Sequence, residues 1–590
     1  MAQITFEGGL NENEDAQAIE CQEGWNFELG TQDRALKPRA PIDLKGTATL
    51  TKPINGIMQL IKKGNAVSDE TTLVFEADAT TPTVYEWDGG ATFTSKRTNN
   101  LDAASKLRSC YWGLDEFIVI TDMLKVTPLL KWDGVTCTRL KTNQLTGSAV
   151  TNVSIVESSG TYTINIVSHG YSSGDLITVA DAVPSGLNGE YEITQVDANN
   201  FTFTTTAGIG NSTTHGTSQI GEEIFAKYCI VHNGRNWLFN LTTGNNKNPH
   251  MLVGSFFEDA ENYSTSQRAA DGSPIPEAAF YMLTPDLRAI NGVALFNRQL
   301  IISTAGGRLF RLTGFDTTNY SWISYYSGSR AVGTETVANI GNDIVYMREG
   351  GNIESVIATD TSSDIQANDM SRWIQTTVKD LEESITVYDQ NNQKVLFFVT
   401  GKVLVLFKDV LFSKQVSPWS VYKTSLAFNF NTNAAVYIRR PGKTTYSIYF
   451  GDDIGNIYDL NGSGIGDNST TIITYRKTRI LDEINFKNQW LIGRIQYRRI
   501  GDSEVTLSFD WSNEYNKTES TIKMKGPLAG ETFPVYGGAY YYGNPSIVYG
   551  GSFKAKISHA NFSPTGKADG VKIGAYLDTT VAFQIDNLEI

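Results

Sequence analysis

Two stretches of the chain, 45 residues apart, are nearly the same: Tyr85-Glu86-Trp87-Asp88-Gly89 and Leu130-Lys131-Trp132-Asp133-Gly134. Leu73-Val74-Phe75 lies as far before Trp87 as Ile118-Val119-Ile120 lies before Trp132, and Thr-x-Thr follows both turns. An apolar strand, a polar turn, a second strand ending on an aromatic, and an Asp-Gly turn make one blade of a β-propeller, a unit of about 40 to 50 residues. One blade cannot bury its own faces, so several must stack around an axis.

Further hairpins follow. Tyr228-Cys229-Ile230-Val231 turns at Asn233-Gly234, and Asn297 to Ile302 turns at Gly306-Gly307. Asp343 to Tyr346 turns at Gly350-Gly351, Lys394 to Phe398 at Gly401, and Tyr446 to Phe450 near Gly455. The last glycines of the final four are 44, 50 and 54 residues apart, which are blade-sized steps. Gly134 and Gly234 are separated by 100 residues, so a module is inserted there.

Between Lys141 and Lys227 there is no Lys or Arg, while Glu157, Asp175, Asp181, Glu190, Glu192 and Asp197 lie inside. Period-two segments at 161–167, 175–179, 191–196 and 201–204 predict a small β-barrel. After Asn468 another alternating series, at 471–475, 492–497, 505–509 and 571–573, predicts a sandwich.

The expected fold is all-β: a β-propeller with an inserted small β-barrel and a C-terminal β-sandwich. Its expected organisation is an N-terminal arm (1–45), blades (46–144), the barrel (145–222), further blades (223–468) and the sandwich (469–590). Helix is expected only at Pro53 to Lys63, where Ile54, Ile57, Met58 and Ile61 have helical spacing, and at Ser371 to Leu381. Gly537 to Pro545 reads as a Gly/Tyr loop.

Charge and cysteines narrow the function. A net charge of −14 opposes adhesion to a nucleic-acid backbone, which needs Lys and Arg to displace counterions. Cys21, Cys110, Cys137 and Cys229 are widely spaced without CxxC, which predicts reduced, mostly buried thiols. The start has no basic-then-apolar leader and no run of 18 apolar residues occurs, so assembly in a cytoplasm without membrane insertion is expected. The Asn-x-Ser/Thr triplets, such as those at Asn152, Asn211 and Asn240, read as a product of Asn- and Thr-rich composition.

Several motifs imitate chemistry. Gly170-Tyr171-Ser172-Ser173-Gly174 matches a nucleophile elbow, but that turn must lead into a helix and here a strand pattern follows. Asp459-Leu460-Asn461-Gly462-Ser463-Gly464 starts like a calcium loop, yet Thr470 stands where a bidentate Glu should close the shell. Gly462, Gly464 and Gly466 lack a βαβ setting for a dinucleotide. His169, His215, His232, His250 and His559 lack metal-site spacing. Trp87 and Trp132 could stack on sugar, but identical placement in successive blades points to packing between blades. No catalytic, cofactor-binding or metal-binding residue is expected, and the chain reads as a structural protein, not an enzyme.

The opening Phe6-Glu7-Gly8-Gly9-Leu10-Asn11, then Trp25-Asn26-Phe27 and Leu36-Lys37-Pro38-Arg39, resembles the start of the nozzle or hub proteins of short-tailed bacteriophages, also called tail tubular protein B or packaged-DNA-stabilisation proteins. The insert, with His169-Gly170-Tyr171, Leu187-Asn188-Gly189-Glu190-Tyr191 and Asn200-Phe201-Thr202-Phe203, resembles a small β-barrel module of phage tail proteins related to a non-catalytic part of ubiquitin-activating enzymes. The order of propeller then sandwich is also similar.

This resemblance implies a homo-oligomeric, hexameric ring in the virion tail. It would be assembled in the bacterial host cytoplasm, meet tail adaptor and portal-side proteins and tail fibres, and pass genomic DNA without specific binding. The alternative is a glycan-binding fibre or adhesin propeller.

Overall fold

The computed structural model describes most of residues 50–462, the main gaps being 266–274, 315–318, 328–332, 359–364 and 424–430. It also describes 3–4, 9–12, 21, 23–29, 36–45 and 467, and, of the remaining C-terminal residues, the strands only.

Among the described residues, seven antiparallel four-stranded sheets are arranged as blades. Their first strands are Ile54–Ile61, Leu107–Trp112, Ile224–His232, Ile290–Phe296, Ala338–Asn339, Ile385–Asp389 and Ala434–Arg439. Consecutive first strands are neighbours, and the seventh returns to the first, so the ring is closed.

Between most pairs of blades lies a seam of buried apolar side chains. Trp132 packs among Met58, Leu60 and Leu73 of the first blade, and Trp87 among Ala434, Ile438 and Tyr449 of the seventh. The equivalent tryptophans therefore fill equivalent seams, each against the preceding blade. Gly89 and Gly134 make the two Asp-Gly turns with φ of 84° and 94°, a conformation that costs glycine nothing.

The segment Pro53 to Lys63 is not helical: Ile54–Ile61 is the axial strand of the first blade. A strand buried on both faces reads as an unbroken apolar run, in which a spacing of three or four appears by chance. The second expected helix exists as the single turn Gln375–Val378, and a short helix, Lys408–Ser413, was not foreseen.

The seventh blade is completed from the far end of the chain. Asp43–Lys45 pairs antiparallel with Ile457–Asp459 as its fourth strand. Glu23–Trp25 pairs with Ile472–Lys477 in one C-terminal sheet, and Leu36–Pro38 joins Phe583–Glu589 in the other. The strands described in 1–45, expected to be an N-terminal arm, are thus distributed over three sheets. The C-terminal sheets hold five and six strands. The insert consists of two four-stranded sheets around Ile155, Tyr162, Ile164, Ile177, Phe201 and Phe203.

Candidate functional site

A cavity of about 490 Å³ opens at the axis, on the face where first strands begin and second strands end. Cations line one side and carboxylates the other. Lys106 and Lys227 come from the second and third blades, whereas Glu335, Glu383 and Asp453 come from the loops and strand starts of the fifth, sixth and seventh. Arg108 braces the axis: its Nη2 lies 3.1 Å from Glu335 Oε2, and its guanidinium also donates to the carbonyls of Asn55 and Asn433. Burial pushes the Lys227 ammonium below its ordinary pKa, while Glu335 and Glu383 pull it back up.

The residues singled out in the sequence do not gather there. Ser172 and Ser173 sit in a turn leading into the strand Leu176–Ala180; the Ser172 N–H donates to Asp175, and Ser173 Oγ accepts the Gln195 N–H. Asp459 is buried in a strand, where it accepts bonds from Ser447, Arg440 and the Asn461 N–H. Gly464, Gly466 and Thr470 lie outside the described residues.

His169 stacks on Tyr171 and contacts the Asp197 carbonyl, and His232 is held below its usual pKa by burial. No cluster of three metal-ligating side chains occurs among the described residues. Trp87 and Trp132 are 2% and 0% exposed, so neither offers a face to a sugar.

The four cysteines are free thiols, but the wide sequence spacing of two of them is misleading. Cys110 and Cys229 lie on the first strands of adjacent blades, and burial together with the neighbouring Cys229 thiol pushes Cys110 well above its ordinary pKa.

Gly9, Leu10 and Asn26 meet along the outer strand of the sixth blade, Trp419–Tyr422. The Leu10 N–H donates to Trp419 O and the Asn26 N–H to Val421 O. A Cβ on Gly9 would lie 2.2 Å from Trp419 O, so only glycine fits there. Arg39 donates through Nη1 to Asp467 Oδ1 at 2.7 Å and through Nε to Asn26 Oδ1 at 3.0 Å, and its Nη2 meets Asp467 Oδ2. This clasp was invisible in the sequence because its parts are more than 400 positions apart.

The inserted barrel is gripped by arginines at the ends of two outer blade strands. Arg97 holds Glu192 at 2.7 and 3.1 Å, and Arg139 donates to Gly174 O at 2.6 Å. Glu190, 3% exposed, accepts the N–H groups of Thr142 and Asn143. Glu157, Asp175 and Asp197 bind N–H groups of the barrel's own turns. Most of the insert's acidic excess is therefore engaged in internal structure and docking.

No family model and no curated protein matches the chain. Among solved structures it is similar to the WD40 repeats of RRP9, at 8% identity over 72% of this chain and 98% of that one, with a TM-score of 0.37. It is also similar to the WD40 propeller domain of Doa1 (9% identity, 71% and 96% covered, TM-score 0.32) and to YCF48 bound to D1 peptide (9%, 71% and 96%, 0.34). The fold that emerges from the closed ring of seven sheets is an all-β propeller carrying an inserted barrel and a terminal sandwich.

Proposed function

We propose that the chain is a structural virion protein of a short-tailed phage, forming the nozzle or hub ring of the tail. In this reading a homo-oligomer, six copies round the channel, sits below the adaptor and portal-side proteins, retains the genome and then lets it pass during ejection. The chain acts by shape and charge, not by catalysis.

One observation carries the reading. Gly9, Asn26 and Arg39, from the segments that resemble the nozzle proteins, are the residues that clasp the N-terminal strands onto the sixth blade. The likeness thus falls on positions with a shared mechanical task. A stiff closed propeller suits a building block in the wall of a conduit that must withstand genome pressure. Excess carboxylate, net charge −14, repels phosphate, so DNA slides without sticking. Val153, Val167 and Val196 on the barrel are at least half exposed and supply apolar contacts to neighbouring copies or fibres. Burial of Trp87 and Trp132 weighs against sugar stacking at those residues.

Negative-stain imaging and sedimentation of the full chain, alone and mixed with portal-side tail proteins, test the proposal. A ring that joins those proteins is expected, and lumen carboxylate-to-Lys particles should eject DNA more slowly. A chain that remains monomeric and binds no tail component overturns it.

A further inference from the structure

We propose that the axial cavity is a docking site for an extended protein segment carrying one acidic and one basic side chain. The inference stands apart from the conduit reading, because it rests on the cavity alone.

The walls are segregated by sign. Lys106 and Lys227 stand on the second and third blades, and Lys125 and Lys247 lie close enough behind them that Lys227 and Lys247 act on Lys125 electrostatically. Lys106 also acts on Lys227, and Glu335 and Glu383 act on it more strongly, so the two walls lie within electrostatic reach of each other. Across the cavity, Glu335 is engaged by Arg108, while Glu383 and Asp453 are exposed. The Thr432 hydroxyl in the wall is buried and has no hydrogen-bond partner among the described residues. Met123, Leu124, Phe398 and Val399 add apolar surface.

A volume of about 490 Å³ lies in the range of ligand sites and accommodates a few residues of an extended chain. A polyanion would meet Glu383 and Asp453, and a polycation would meet the lysines. A segment with both signs satisfies both walls, with its carboxylate at Lys106 and Lys227 and its cation at Glu383 and Asp453. Complementarity of this kind selects the partner and its direction of entry more than it raises raw affinity.

The test is fluorescence anisotropy of the full chain with end-capped, labelled Gly-Asp-Gly-Lys-Gly. The comparison probes are the all-Asp and all-Lys versions and an oligodeoxythymidine of about 12 nucleotides. The mixed-sign peptide is expected to bind about tenfold tighter than each of the others, and Lys227→Met and Glu383→Gln should each weaken it about tenfold. Equal affinity for all probes, tightest binding of the oligonucleotide, or indifference to Glu383→Gln overturns the proposal. Glu383 is exposed, so its replacement by Gln leaves the fold intact and keeps the test decisive even if Lys227→Met fails to fold.

Discussion

Replacing Arg39 by Met removes the charge that anchors the N-terminal clasp while keeping most of the side chain's volume. Arg39 and Asp467 are each 1% exposed, and beyond Arg39 the Asp467 carboxylate accepts the Ile42 N–H at 3.1 Å. Arg39→Met therefore leaves a buried carboxylate without its cation, at a cost of about 3–5 kcal/mol. The pair joins residues 39 and 467, so the cost falls on local opening of the clasp, whose open population rises roughly 10²- to 5 × 10³-fold. Hydrogen exchange followed by mass spectrometry over peptides covering 36–45 reads this directly. Asp467→Asn should also accelerate exchange, and the double variant should cost much less than the two single ones combined. Less than about fivefold faster exchange at Ile42, or additive single costs, would refute the claim that this pair holds the clasp.

Two further outcomes follow from the seams. Glu70 is raised to about 7, chiefly by burial against the opposing pull of Arg439, so the native state holds its proton where the unfolded chain, at 4.5, has lost it. Stability at this seam should fall as pH rises from about 4.5 to 7 and level off above. Glu70→Gln should flatten that slope and stabilise the seam by about 1–3 kcal/mol at pH 8. Thermal midpoints of the two proteins measured across this range check it, and parallel profiles would contradict it. Arg97→Ala combined with Arg139→Ala should loosen the inserted barrel by about 2–4 kcal/mol without unfolding it. Limited proteolysis should then cut faster at 143–149 while the strands of the barrel remain protected.

The blades were legible because each hairpin announces itself locally, by an apolar run, an aromatic and a glycine turn such as Asp88-Gly89. The axial strand Ile54–Ile61 was not, since burial on both faces erases the alternation that distinguishes a strand from a helix. Asp43–Lys45 has only three residues and no pattern of its own; it is a strand because Ile457–Asp459 offers an unpaired edge. The candidate site was equally hidden. Lys106 and Lys227 lie on either side of the inserted barrel in sequence, and only the ring of blades sets them against Glu383 and Asp453. Seam contacts such as Cys110 beside Cys229 belong to the same class: strands of different blades meet without any local signature.

The late arrival of the partner of Asp43–Lys45 governs how the molecule is made. Asp43 pairs with Asp459, so during synthesis the first segment emerges roughly 20 to 80 seconds before its docking edge exists. Through that interval it must stay solvated and avoid foreign sheet edges, and the charges of Asp43 and Lys45 within it help keep it so. Completion of the ring is consequently a closing event of high contact order, slow compared with the folding of single hairpins. A nascent chain stalled before residue 457 would hold a seventh blade with only its first two strands, and Asp43–Lys45 would have no edge to join.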